Sequence, residues 1–176
     1  MNVLALDLGT MTGWAYWNGN RAESGTVDFS IQRGESVGMR FLKFNQWLAA
    51  HFAPPLAQTE LIAYEAAHHR GGAATQILAG FETRVHEFCA LHGLHHVSVH
   101  TSTLKKWSTG KGNASKEQMQ IECASRWGCG LLDDNEADAR MVLAWALDRY
   151  LLKGKEGSAP SATVPAPGSD SGASTS

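Results

Sequence analysis

The stretch that decides the fold is LALDLGTMTGWAYW, residues 4–17, close to the start of the chain. Three apolar residues lead into Asp7, and glycines follow at Gly9 and Gly13. A strand this apolar is typical of the centre of a sheet. We expect residues 9–13 to form a tight turn that leaves open space beside the Asp7 carboxylate. Such a strand end is typical of a site that holds a metal and also of a site that cradles a phosphate.

The rest of the chain alternates between predicted strands and helices. The hairpin signal NGN at residues 18–20 joins two further strands, so the first three strands form an antiparallel meander. Two later strands separated by a helix are predicted to be parallel. The sequence thus predicts an α/β fold, a five-stranded mixed sheet flanked by helices. The expected strands are 3–7, 13–17, 22–29, 61–64 and 97–99, and the expected helices are 39–52, 73–91, 115–127 and about 135–152.

Composition places the chain among globular proteins. Its 176 residues are 43% hydrophobic and 18% charged, with a formal net charge of −2. We expect a folded domain over residues 1–153 and a disordered tail over residues 154–176, where Gly, Ser, Ala and Pro predominate. Three cysteines without a CxxC pair, no signal-peptide pattern and no long apolar run indicate a cytoplasmic protein that does not contact a membrane.

Three carboxylates stand where a ligand site is expected. Asp7 and Glu65 end predicted central strands, and the carboxyl ends of such strands form the ligand crevice of open α/β sheets. Asp138 lies inside the last helix, one turn before the wholly apolar run 141–147. Oxygen ligands without matching cysteines suit Mg²⁺, or Mn²⁺ in its place, and two such ions could cleave a phosphodiester. The alternative is that the strand-end carboxylates cap turns or are solvated.

The start of the last helix offers more acidic residues. Asp133 is a good N-cap, and with Glu136 it has the spacing of a capping box. Asp134, four residues before Asp138, lies on nearly the same helix face.

A lysine-rich stretch, residues 104–116, precedes the fourth helix. Lysines with Gly110 and Gly112 predict a loop that contacts phosphates, and a merely solvated loop is the alternative. Two neighbouring histidines and an arginine follow Glu65 and are candidates for DNA contact, whereas His95, His96 and His100 are predicted to be surface or structural residues. The predicted DNA-binding residues are Lys105, Lys106, Lys111, Lys116, His68, His69 and Arg70.

The chain resembles the RuvC-type Holliday junction resolvases of the RNase H-like (retroviral integrase) superfamily. The segments that carry the resemblance occur in family order over residues 1–150: LALDLGTMTGWAYW, LIAYEAAHHRGGAATQILAGFE, LKKWSTGKGNASKEQM and NEADARMVLAWAL. The resemblance implies an RNase H-like fold. It also implies a homodimeric crossover junction endodeoxyribonuclease, with two Mg²⁺ ions per site, that cuts four-way DNA in recombination and repair.

Carried over by position, the resemblance makes Asp7, Glu65 and Asp138 the metal-binding catalytic carboxylates. Lys105 and Lys116 match basic residues near the scissile backbone, and Lys116 is the candidate to assist catalysis. The resemblance also makes the helix after Glu65 the one that forms the dimer.

The chain departs from the family at two positions. Asn135 stands where the family usually has a fourth acid or a histidine, so either Asn135 or Asp134 would complete the metal site. At about the position of His68, the best-known bacterial members have a phenylalanine that acts as a wedge in the junction. These differences are more typical of phage or prophage relatives.

Two other functions remain open on the sequence. DLGTMTGW also resembles the first phosphate loop of actin–hexokinase phosphotransferases and ATPases, although the chain is short for their two domains. Asn135 keeps open a third possibility, a catalytically inactive RNase H-like module that binds DNA.

Overall fold

The computed structural model describes residues 1–54, 57–66 and 71–152. Its five strands form one mixed sheet in the order β3-β2-β1-β4-β5. The first three strands pair antiparallel, and β4 and β5 extend the sheet in parallel on the other side of β1. The predicted mixed sheet, three antiparallel strands followed by two parallel strands, is confirmed. The strands are β1 (Asn2–Asp7), β2 (Met11–Trp17), β3 (Ala22–Asp28), β4 (Thr59–Glu65) and β5 (His95–Val99).

Helices cover both faces of this sheet. The lysine-rich stretch was predicted to be a loop, which is wrong over its first half, because Thr101–Thr109 is helical and carries Lys105 and Lys106. The last helix also differs, since it ends at Leu147 and continues as a π-helical turn, Asp148–Leu152. The helices are α1 (Gly38–Phe52), α2 (Ala73–His92), α3 (Thr101–Thr109), α4 (Lys116–Trp127) and α5 (Asp134–Leu147).

Strand β1 is central because its side chains are buried on both faces. Val3 and Ala5 pack on the side of α5, whereas Leu4 and Leu6 pack on the side of α1 and α2. All four are fully buried. Because side chains alternate along a strand, Asp7 continues the α5 side.

Helix α5 packs tightly against β2. A Cβ atom at Gly13 would lie 1.8 Å from the backbone oxygen of Asn135, so only glycine allows this approach. Gly13 was predicted both to end the turn beside Asp7 and to begin the second strand; the turn assignment is wrong and the strand assignment is confirmed. It lies within β2, opposite Asp7, and brings the start of α5 against the sheet.

Hydrogen bonds from β3 fix the start of α5. The Thr26 hydroxyl donates to the Asp133 carboxylate at 2.9 Å, and the Ser24 hydroxyl donates to Glu136. Asp133 is the predicted N-cap and accepts from the main-chain N–H groups of Asn135 and Glu136. The capping box predicted with Glu136 does not form, because that side chain reaches Ser24 instead.

The hairpin between β2 and β3 forms as predicted. The Asn18 side chain accepts from the N–H groups of Asn20 and Arg21, each at 3.0 Å, and Gly19 has φ +90°. No helix in the described part of the chain is both long and apolar enough to cross a membrane. The predicted tail, 154–176, and the predicted DNA contacts His68, His69 and Arg70 lie outside the described residues.

Candidate active site

The alternation of two central strands places Asp7 and Glu65 on the same face of the sheet. Leu6 pairs with Tyr64 in the parallel β1–β4 ladder, so the two carboxylates follow immediately at neighbouring strand ends. In β4, Leu61 and Ala63 pack toward α5, and the same alternation carries Glu65 to that side. Both side chains are partly buried.

Helix α5 supplies the third carboxylate. Gly13 holds the Asn135 backbone against β2, and Asp138 lies one turn further along the helix. Its neighbours Ala137 and Ala139 are buried, while Asp138 is partly buried and borders a cavity shared with Glu65. The three predicted carboxylates therefore lie on the same side of the sheet, close enough for their charges to interact.

Burial and mutual repulsion disfavour the charged forms of these acids. Burial, followed by the nearby Asp138 and Glu65 charges, raises the pKa of Asp7 well above its ordinary value. Burial and the Glu65 charge raise the pKa of Asp138 to about 6, although Lys116 opposes this shift. A cluster of this kind favours a bound cation, because a cation would offset the repulsion.

We expect Asp138→Asn to stabilise the metal-free protein at pH 7–8. The folded-state pKa of Asp138, about 6, is above its ordinary value of 3.8, so stability from this group is lost as pH rises between these values. Above pH 6 the ionised carboxylate destabilises the fold by on the order of 1–3 kcal/mol. Urea unfolding in EDTA should show a gain for the variant at pH 8 and almost none at pH 4. An equal gain at both pH values would contradict the electrostatic origin.

Lys116 is the cation next to this cluster. Its Nζ lies 3.1 Å from the Asp134 carboxylate. Its positive charge partly offsets the rise in the pKa of both Asp7 and Asp138. The hydrogen bond and charge of Asp134 in turn raise the pKa of Lys116. Gln120 also donates to Asp134, at 2.7 Å.

These contacts bear on the two candidates for a further metal ligand. The Asp134 carboxylate is exposed and accepts hydrogen bonds from Lys116 and Gln120, so a metal would have to displace them. Asn135 contacts β2 through its backbone. These contacts favour a role for Asp134 as the ion-pair partner of Lys116 over a role as a metal ligand.

The other predicted lysines fall into two groups. Lys105 borders the cavity and donates from Nζ to the Ala114 backbone oxygen at 2.7 Å, which ties α3 to the segment leading into α4. Lys106 and Lys111 are exposed and do not line the cavity. Of the four predicted lysines, Lys105 and Lys116 are therefore the two that line the cavity together with the carboxylates Glu65 and Asp138.

The cavity between these groups has a volume of about 180 Å³. Sequence analysis missed Thr101, whose hydroxyl donates a hydrogen bond to Glu65 Oε1. Thr101 lies one helical turn before Lys105, a spacing that would have placed both on one face had α3 been recognised. The lining residues are Glu65, Thr101, Leu104, Lys105, Lys116, Met119 and Asp138.

Oxygen ligands are present, but their side chains are not gathered around one point. Within residues 1–54, 57–66 and 71–152, no three His, Cys, Asp or Glu side chains form a group that could hold one metal ion. The donor chemistry suits a hard divalent cation.

The three histidines predicted to be surface or structural residues do not line this cavity. His86 and His96 stack with ring centroids 4.4 Å apart, and the Tyr64 hydroxyl is 2.7 Å from His86 Nε2. His95 and His100 are exposed. A larger depression, about 420 Å³, borders Asn2 at the opposite end of β1 from Asp7, so it is separate from the carboxylates.

Comparisons with known proteins support the fold. The RuvC structure from Thermus thermophilus superposes with a TM-score of 0.69 at 18% identity, covering 88% of this chain and 97% of that one. A second structure, T. thermophilus RuvC in complex with a Holliday junction substrate, gives a TM-score of 0.68, also at 18% identity, covering 88% and 96%. No protein-family model matches the chain, and no curated protein matches it. The likeness shows a RuvC-type fold.

Proposed function

We propose that this RuvC-type chain is a Mg²⁺-dependent endonuclease that cuts four-way DNA junctions by paired phosphodiester hydrolysis. The observation that carries the proposal is the meeting of Asp7, Glu65 and Asp138 on one side of the central strands, next to Lys105 and Lys116. Similarity to a RuvC structure solved with a Holliday junction favours branched DNA as the substrate.

The proposed chemistry divides the site by charge. Asp7, Glu65 and Asp138 would hold one or two divalent ions, which when bound would activate water and stabilise the leaving oxygen. Lys116 and Lys105 would neutralise charge on the DNA backbone that enters the cavity. The exposed Lys106 and Lys111 would contact phosphates further from the cut.

The experiment that tests this function uses synthetic DNA. The full chain with Mg²⁺ or Mn²⁺ should cut a four-way junction at paired positions, leave 5′-phosphates, and spare linear duplex of the same sequence. Equal cutting of linear duplex would replace the proposal with a general nuclease. ATP hydrolysis without DNA cleavage would favour the actin–hexokinase alternative. We also propose that the chain acts as a homodimer, which sedimentation with and without junction DNA would test.

Two observations favour a second candidate, a DNA-binding module without activity. The described acidic side chains do not surround a single ion point, and Asn135 replaces a usual fourth acid or histidine. Tight junction binding with no cleavage in either Mg²⁺ or Mn²⁺ would establish this candidate.

Lys116→Ala should lower junction cleavage by about 10²-fold, because it removes an exposed ammonium whose charge acts on both Asp7 and Asp138. Lys43→Ala is a matched control on α1, where that lysine pairs with Glu35 at 3.3 Å. Single-turnover rates at saturating protein would separate this loss from weaker binding. Equal rates for both variants would remove Lys116 from the proposed chemistry.

A further inference from the structure

We infer that the Thr101 hydroxyl positions Glu65 for metal binding, and this inference rests on the proposed function. Thr101 is the first residue of α3, and its hydroxyl donates to Glu65 Oε1. The sequence singled out lysines in this region and not this threonine. Thr101 is thus a positioning residue that acts through a carboxylate.

The backbone fixes both partners of this hydrogen bond. Glu65 ends β4, and the next residue, Ala66, donates its N–H to the Val99 backbone oxygen at 2.9 Å. Val99 ends β5, and only His100 separates it from Thr101. The hydroxyl therefore has a defined place beside Glu65, set by two paired strands.

Packing of α3 keeps the hydroxyl there. Leu104 is 1% exposed and belongs to the core on the α5 side of the sheet. Thr101 and Lys105 line the same cavity one turn apart, and Lys105 also binds the Ala114 backbone. Packing of α3 thus keeps the Thr101 backbone beside Glu65, within reach of its carboxylate.

Electrostatics explain why Glu65 needs such a partner. The Glu65 charge acts on both Asp7 and Asp138, so the three carboxylates repel one another. Repulsion favours rotamers of Glu65 that turn away from the cluster, and a hydrogen bond to the carboxylate opposes that rotation. By holding one oxygen, Thr101 keeps the carboxylate oriented toward the cavity. Partners of this kind, which orient a metal ligand, typically change metal affinity 10–100-fold.

The test compares Thr101→Val, which removes the hydroxyl while keeping the shape, with Thr101→Ser, which retains it. Calorimetric Mn²⁺ titration of the full chain should show about 10-fold weaker binding for Thr101→Val and near-normal binding for Thr101→Ser. Thr103→Val is the matched control, because Thr103 is exposed on the same helix. Thermal unfolding in EDTA checks folding, and Thr101→Ala replaces the valine variant if that variant does not fold.

The outcomes separate this inference from the proposed function. Unchanged Mn²⁺ affinity in Thr101→Val, or equal weakening in Thr101→Ser, would overturn the positioning role. Failure of the wild-type chain to bind Mn²⁺ would overturn it as well. Normal Mn²⁺ binding with the expected Thr101→Val loss, but without junction cleavage, would overturn the nuclease function and leave the positioning role supported.

Discussion

Asp7→Asn should reduce junction cleavage by at least about 10³-fold, equivalent to about 4 kcal/mol of transition-state stabilisation. Asp7 ends the central strand, and the Asp138 and Glu65 charges both act on it, so it stands between the other two proposed metal ligands. Asparagine keeps the shape and loses the charge that a divalent ion requires. Single-turnover cleavage in Mg²⁺ measures the effect.

Junction binding should survive this change. Removal of a negative charge beside Lys116 lessens repulsion toward DNA phosphates, so affinity in EDTA should be equal or higher. Asp28→Asn is the matched control, because Asp28 also ends a strand of the same sheet, β3, and is exposed. Cleavage by Asp7→Asn at a tenth of the wild-type rate or more would refute a catalytic role for Asp7. Loss of binding together with cleavage would place Asp7 in DNA recognition.

The positions of two carboxylates could be predicted from the sequence because strand alternation is a local property. Apolar side chains on both faces of residues 3–6 predict a central strand, and Asp7 then stands at its end. Glu65 follows from the same reasoning on β4. Asp138 was identified because a charge one turn before a wholly apolar helical run requires a partner. The meeting of the three, however, depends on the register of β1 with β4 and on the docking of α5.

Local signals did not predict helix α3, and Thr101 was missed with it. The nine residues TSTLKKWST contain three threonines and two serines, which favour turns and caps over helix interiors. The N-cap, His100, makes no side-chain cap hydrogen bond. Buried Leu104 and Ser108 stabilise this helix through tertiary packing. The lysines consequently suggested a loop, and the hydroxyl beside Glu65 had no predicted position.

The role of Asp134 likewise depends on contacts between distant parts of the chain. Its spacing to Asp138 on one helix favoured a metal ligand, and that role remains an untested prediction. In the structure its carboxylate meets Lys116 and Gln120, which belong to α4. Local spacing could not reveal that these side chains reach the start of α5. The same limitation explains why Gly13 was assigned to a turn. From sequence alone, a glycine within a strand cannot be distinguished from a glycine within a turn.

Gly13→Ala should destabilise the protein by about 3 kcal/mol or more, because the new Cβ meets backbone and not a mobile side chain. The added atom would lie 1.8 Å from the Asn135 oxygen and 3.1 Å from its Cα, so α5 must move away from β2. Thermal unfolding should show a decrease of about 6–12 °C for a chain of this size. Gly130→Ala is the matched control, because a Cβ there has no atom within 4 Å.

The same displacement should lower catalysis beyond the loss of stability. Asp138 lies one turn from Asn135 on α5, so a shift of the helix start moves this carboxylate relative to Asp7 and Glu65. Mn²⁺ affinity of the folded variant, measured by calorimetry well below its unfolding temperature, should fall together with junction cleavage. Displacements of about 1 Å can reduce rates by about 10²-fold. A Gly13→Ala protein as stable as Gly130→Ala would show that α5 does not need this contact with β2. A destabilised variant with unchanged Mn²⁺ affinity would show that the position of Asp138 is independent of it.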